Sequence, residues 1–239
     1  MKGRSPNQRP NTLKNLQKRA KKASFLLHKE YGSPRHGNKK NPLDELVFII
    51  LSLMTTHHSF NRVYNKLKHK VTSWDELLKI KLSVFRILIK DGGLSDQKAR
   101  RIIKIMKRLK QDFGRVTLSP LNKMTDSDSE AYLTSLPGVG IKTAKCILMY
   151  SLKRQVLPVD THVWRVALRL ELIDRKVTYS FVHQRLEEVV FPEDRYSFHV
   201  NAIPHGRAIC TALRPRCRQC CLRNICPFPK KAKLLSKAP

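Results

Sequence analysis

Apolar residues recur three and four positions apart along most of the chain, and no stretch alternates with strand period over a useful length. The pattern therefore predicts an all-α fold. Leu16, Ala20, Ala23 and Leu27 define an amphipathic helix from Leu13 to about Tyr31. Asn41 can cap the next helix and Pro42 suits its first position; its stripe of Leu43, Leu46, Val47, Ile50, Leu51 and Met54 makes it apolar on most sides and so central. Phe60, Val63, Tyr64 and Leu67 mark a third helix, Ser73-x-x-Glu76 is a capping box opening another, and Ser83 opens a short one through Leu88. Gly92 and Gly93 stop it. Ser95 to Phe113 then reads as a long helix with Ala99, Ile102, Ile103 and Met106 inward and Lys98, Arg100, Arg101, Lys104, Lys107 and Arg108 around it. Asp126 to Leu136, Ile141 to Leu152, a helix beginning at Asp160, Thr178 to Val190 and Arg195 to Ile209 complete the set, the last expected to kink at Pro204. There is no internal repeat.

The stretch Leu136 to Ala144, Leu-Pro-Gly-Val-Gly-Ile-Lys-Thr-Ala, interrupts this pattern most sharply. Gly138 and Gly140 flank Val139 and allow a tight turn that leads straight into the helix starting at Ile141, whose free N–H groups point back at the turn. Such a helix-hairpin-helix can hold a phosphate, with Leu136, Gly138, Val139, Gly140 and Thr143 as candidate DNA contacts. An ordinary corner in a helical core has the same glycine pair.

Composition narrows the choice. Lys and Arg total 48 against 18 Asp and Glu, a formal charge of +30, and such an excess calls for a polyanion: nucleic acid first, an anionic membrane surface second. No apolar run approaches the ~20 residues of a spanning helix, and the N-terminus lacks a secretory apolar core. An intracellular protein that works with DNA is expected, in a bacterial or archaeal cytoplasm or in a nucleus or mitochondrion. Residues 1–12 read as a disordered basic arm and residues 230–239 as a basic tail.

Five of the six cysteines crowd between Cys210 and Cys226. Cys210, Cys217, Cys220 and Cys226 give C-x6-C-x2-C-x5-C, a spacing that suits ligation more than disulfides in a chain without an export signal. Thiolate softness admits both tetrahedral zinc and a cubane iron-sulfur cluster. Arg214 and Arg216 lie between the first two ligands, so a metal there would fix a cationic loop able to contact phosphates.

The hairpin LPGVGIKTA, the segment VLPVDTHVWRVALRL and the cysteine stretch HGRAICTALRPRCRQCCLRNICP together resemble the endonuclease III group of helix-hairpin-helix DNA glycosylases, over about Asn41 to Pro227. The resemblance implies base excision repair: a damaged base, by default an oxidised pyrimidine, is extruded and removed, and the strand is nicked by β-elimination. It implies two helical lobes with a DNA-binding cleft between them. One would be a helical barrel at residues 40–155, the other residues 13–39 plus 156–229 around a [4Fe-4S] cluster on the four cysteines. The expected partner is double-stranded DNA carrying a damaged base or an abasic site, bound by a monomer, with no membrane.

By that resemblance Lys142 is the nucleophile, forming a Schiff base at the sugar, and Asp160 activates it and offsets positive charge on the sugar. Read for themselves, Lys142 could be a phosphate contact and Asp160 an N-cap. Lys145 and the helix dipole are both expected to disfavour the charged form of Lys142. Leu94 falls where the family pushes an apolar wedge into the base stack; a buried loop leucine is the plain alternative. Met54 falls where relatives often carry a glutamine that fills the vacated space, a departure that leaves the opposite base open. His57 and His58 could contact the duplex, and Thr161 and His162 could line the pocket. Cys146 reads as core, Cys221 as a neighbour of the cluster, His205 as structural, and Pro204 departs from the smoother apolar run expected before Gly206. Two other functions share these motifs. An adenine-removing relative would want a glutamate where Ile49 stands and no lysine at Lys142. A non-catalytic helix-hairpin-helix DNA-binding protein would need neither Lys142 nor Asp160. A glycosylase for mismatched or otherwise modified bases is a third possibility within the same chemistry.

Overall fold

The computed structural model describes residues 12–35 and 37–229, apart from the side chain of His57. The expected basic arm and basic tail lie outside the described residues but for Thr12. Every regular element among the described residues is helical: α1 (Leu13–Tyr31), α2 (Pro42–Ser52), α3 (His57–Lys70), α4 (Trp74–Leu77), α5 (Leu82–Leu88), α6 (Ser95–Phe113), α7 (Asp126–Ser135), α8 (Ile141–Tyr150), α9 (Thr161–Arg169), α10 (Tyr179–Val189) and α11 (Pro192–Ala208). No helix among them is long and apolar enough to cross a membrane. The chain divides into two compact units, one of residues 37–158 and one that joins the N-terminal segment to residues from 159 onward.

The first unit is built on α2. Asn41 caps it by accepting from the amides of Leu43 and Asp44 at 2.9 and 3.1 Å, and Leu43 to Leu51 are buried apart from Asp44. α3, α6 and α8 pack around it. Phe48 meets Phe60 and Tyr64 edge to face, with centroids 4.9 and 5.2 Å apart. Asp44 accepts from the Trp74 indole at 2.8 Å and from Lys68 at 3.2 Å, tying α4 and α3 to the same helix. The capping box at Ser73 and Glu76 is formed, yet it opens only the short α4.

Two positions on this unit differ from the sequence pattern. α2 stops at Ser52, so Met54 does not continue its buried stripe: it is 86% exposed at φ 52°. On α6 the buried face is Ala99, Ile102, Ile105, Met106 and Leu109, with Ile103 only half-buried, and Lys98 turns inward at 3% exposure. Its Nζ donates to the carbonyls of Leu51 and Gly92 at 2.8 and 2.7 Å. A lysine can enter a core when carbonyls accept hydrogen bonds from its ammonium, and burial still pushes its pKa below the usual lysine value.

In the second unit α1 pairs with α10 and α11, and α9 packs on α11. Arg19 donates to the Leu170 carbonyl at 2.8 Å and the Ser33 amide to Asn201 Oδ1 at 3.1 Å, so the N-terminal helix is held by elements far along the chain. α11 begins at Pro192 and runs through Pro204 to Ala208. Gly206 lets it approach α9: a Cβ there would lie 2.7 Å from His162 Cβ and 3.2 Å from His162 Cα. Gly206→Ala should therefore destabilise this unit by about 1–3 kcal/mol, read as a lower denaturant midpoint at unchanged slope.

Candidate functional site

Within residues 37–158 the hairpin joins α7 to α8. Leu136 and Val139 bury their side chains, at 2% and 5% exposure, while Gly138 and Gly140 lie at the surface. Leu136 and Val139 can therefore offer a ligand only main chain, and the Val139 amide is already bonded to the Leu136 carbonyl at 3.1 Å. Gly138 sits at φ 72°, and a Cβ there would come within 2.6 Å of Arg101 Nε, so the turn closes directly over a guanidinium from α6. Gly140 is the N-cap of α8 and contributes no side-chain bond, which leaves the first-turn amides of the helix facing outward around Lys142 and Thr143. The turn thus presents aligned dipoles and a nearby cation, the elements of an anion site.

Lys142 is half-buried on the first turn of α8. Lys145 does not act on it as a bare charge, because its Nζ lies 2.8 Å from Glu130 Oε2. Glu45 on α2, which is 0% exposed, feels the charge of Lys142. Burial pushes the Glu45 carboxyl up; bonds from the Lys39 amide and Asn38 Nδ2, both at 2.6 Å, and then the charges of Lys142 and Lys39 oppose this. Sequence reading missed Glu45 and Arg101, since nothing in the local pattern marks a charge as belonging to a distant turn.

Met54 and Leu94 both belong to this unit. Both are exposed, at 86% and 49%, and both have left-handed backbone, φ 52° and 50°. Leu94 is thus not a buried loop residue. His58 is exposed at the start of α3, and the His57 side chain lies outside the described residues.

In the other unit Asp160 is the N-cap of α9, its Oδ1 accepting from the amides of His162 and Val163 at 2.9 and 2.8 Å. These bonds fix the carboxylate against the helix start. Thr161 is exposed; His162 is half-buried, and its Nδ1 lies 2.9 Å from Arg165 Nη2. Arg165 also donates to the carbonyls of Cys210 and Gly206 at 2.6 and 2.7 Å. One turn on, Arg169 donates to Cys210 Sγ at 3.2 Å and to the carbonyls of Thr211 and Ala212 at 2.7 and 2.9 Å, and stacks on Phe228 at 4.4 Å. The helix that begins with Asp160 is therefore bound to the cysteine segment by two arginines spaced one turn apart, a signal present in the sequence and overlooked.

Cys210, Cys217, Cys220 and Cys226 line one cavity, together with Arg169, Pro215, Arg223 and Phe228; Cys221 does not. Burial pushes the thiols of Cys217 and Cys220 up and that of Cys226 to about 11, so their thiolates need a positive partner. Four soft thiolate donors lining one cavity suit a thiophilic metal ion or a metal-sulfur cluster. His205, which burial pushes down to about 4, sits behind them with Nδ1 3.0 Å from the Tyr31 hydroxyl and Nε2 3.5 Å from Cys220 Sγ. Arg214 and Arg216 are exposed on the loop between the first two cysteines, beside Leu213 at 94% exposure. Cys146 is buried in α8.

Comparison with known proteins agrees with this arrangement. The family model described as HhH-GPD superfamily base excision DNA repair protein matches residues 47–192. The chain is 32% identical to endonuclease III of Thermotoga maritima over 199 residues, covering 83% of this chain and 88% of that protein. It is 30% identical to endonuclease III of Escherichia coli K12 over 219 residues, covering 90% and 99%. Among solved structures, a trapped endonuclease III-DNA covalent intermediate superposes with a TM-score of 0.77 at 25% identity, covering 91% of this chain and 98% of that one. With helical architecture, hairpin and sequence relatives in accord, the chain belongs to the HhH-GPD superfamily of base excision DNA repair proteins and is a DNA N-glycosylase.

Proposed function

We propose that the chain is a bifunctional glycosylase and abasic-site lyase acting on duplex DNA, with Lys142 as nucleophile and Asp160 as its partner. The observation that carries this reading is a primary amine on the first turn of the hairpin helix, beside an anion site made of main chain. A relative in this fold has been trapped as a covalent intermediate with DNA, and a covalent step needs a protein nucleophile. The Lys142 amine attacks C1′ of the damaged nucleotide; the glycosidic bond breaks and its electron pair leaves with the base. The amine gives up a proton, the C1′–O4′ ring bond breaks and O4′ takes a proton as the protonated imine forms; a base then removes a C2′ proton, and the electron pair moves to form C2′=C3′ as the C3′–O3′ bond breaks and the 3′ phosphate leaves. Asp160, held rigid by its two amide bonds, is suited to accept a proton from the amine and to offset the positive charge on the sugar.

Cys210, Cys217, Cys220 and Cys226 would hold a [4Fe-4S] cluster, whose part is to cross-link the C-terminal segment. With that segment fixed, Arg214 and Arg216 are placed for phosphates, and Gly138, Gly140 and Thr143 hold another phosphate through backbone amides. Met54 and Leu94 enter the stack where the base is extruded, and His57, three residues after Met54 at the start of α3, is a further candidate contact.

Borohydride reduction of duplexes carrying one thymine glycol or one abasic site tests the assignment. Wild type should form a covalent adduct with both, and Lys142→Ala should form none while still binding duplex. An adduct on the abasic site alone keeps the lyase chemistry and shifts the lesion to another modified or mismatched base. No adduct on either substrate, from cluster-loaded protein that binds DNA, removes the lyase step and leaves a glycosylase that works without a lysine nucleophile. Affinity should also fall steeply with salt, on the order of a thousandfold between 50 and 200 mM for about six phosphate contacts; a flat response in fluorescence anisotropy would assign the positive charge another purpose. Because Met54 offers a thioether and no strong hydrogen-bond donor, cleavage rates opposite adenine and guanine should agree within about threefold in single-turnover assays. A strong opposite-base preference would move that role to another residue.

A further inference from the structure

Two exposed apolar side chains with left-handed backbone, forty positions apart in sequence, need something to hold them. Met54 follows the end of α2, and Leu94 follows the 3-10 turn Lys90–Gly92. The carbonyls at the ends of such helical segments carry partial negative charge and want donors. One buried side chain supplies both: Lys98 Nζ donates to Leu51 O at 2.8 Å and Gly92 O at 2.7 Å. From Leu51 the chain reaches Met54 in three residues, and from Gly92 it reaches Leu94 in two. The Lys98 main-chain N–H also donates to the Leu94 carbonyl at 3.0 Å, so the same residue holds that loop through main chain as well. The loops run close to one another: a Cβ on Gly93 would lie 3.9 Å from the Met54 carbonyl oxygen.

We infer that Lys98 is a positioning residue for base extrusion, a clamp that joins the Met54 and Leu94 loops into one wedge without itself touching DNA. An ammonium is suited to this, because it has three donors and no acceptor and makes charge-assisted bonds to both carbonyls at once. Without it, two carbonyls lose their partner in the interior and the loops lose their shared anchor. The inference rests on the reading of Met54 and Leu94 as the residues that enter the stack.

The test uses full-length, cluster-loaded protein and a lesion duplex carrying 2-aminopurine next to the damaged base, whose fluorescence rises on unstacking. Lys98→Gln, with Lys98→Met as a second variant should the first fail to fold, is compared with wild type for unstacking on the duplex and for borohydride trapping on a single-stranded abasic oligonucleotide, where no wedge is needed. Unstacking should slow about tenfold or more, while single-strand trapping stays within about twofold. In a Met54→Ala, Leu94→Ala background the Lys98 substitution should slow unstacking no further, because its effect runs through those two side chains. Equal losses on both substrates, an undiminished loss in that background, or wild-type unstacking by a folded variant would each overturn the clamp. Fluorescence decides Lys98 even if wild type forms no adduct, a result that overturns only the lyase reading. If Met54→Ala, Leu94→Ala unstacks the duplex as wild type does, the wedge assignment fails and the clamp with it.

Discussion

The burial of α2 is the constraint on which the first unit depends. An eleven-residue helix with nearly every side chain inside must have its polar ends satisfied by what packs around it, and charged groups gather at those ends. At the N-terminal end Asn41 closes the amides and Glu45 brings a buried carboxylate within the field of Lys142. At the C-terminal end the Leu51 carbonyl takes the Lys98 ammonium, and the chain turns out to Met54. From Glu45 to Leu51 a helix rises about 9 Å, so one rigid element spaces the residues around the hairpin lysine from the exposed apolar tips.

The second unit solves a different problem, that of giving a loop-rich segment a fixed shape. The run from Cys210 to Cys226 has only one short 3-10 turn of regular structure, Cys217–Gln219. Its main-chain carbonyls are instead bound by side chains from α9, with Arg165 and Arg169 taking Cys210, Thr211 and Ala212. Asp160 caps that same helix, so the orientation of its carboxylate and the placement of the cysteines are set by one element. A change at Arg165 is felt in both directions.

Much of this was legible because it is local. Caps such as Asn41 and Ser73, the glycine turn and the spacing of the cysteines are each decided within a few residues, and periodicity locates the helices to within a turn. What was not legible depends on distant partners. Lys98 counts as polar in any helical pattern and becomes interior only because the carbonyls of Leu51 and Gly92 meet there. Lys145 reads as a charge beside Lys142, yet Glu130 on the neighbouring helix neutralises it. Met54 fits the spacing of the α2 stripe, but the helix ends two residues earlier, which turns a core position into a surface one. Ile105 and Leu109 replace Ile103 on the buried face because α6 meets α2, α4 and α5 together, which rotates the face that packing selects.

The identity of the residue at that surface position has a chemical consequence. Methionine is unbranched and polarizable and can fit gaps of different shape, where an amide would have to satisfy its hydrogen bonds. The same exposure leaves its sulfur open to peroxide. Conversion to the sulfoxide would set a polar, chiral group at the tip, reversible only by a reductase, so an oxidant that reaches the surface of the first unit changes the chemistry of its most exposed large apolar side chain.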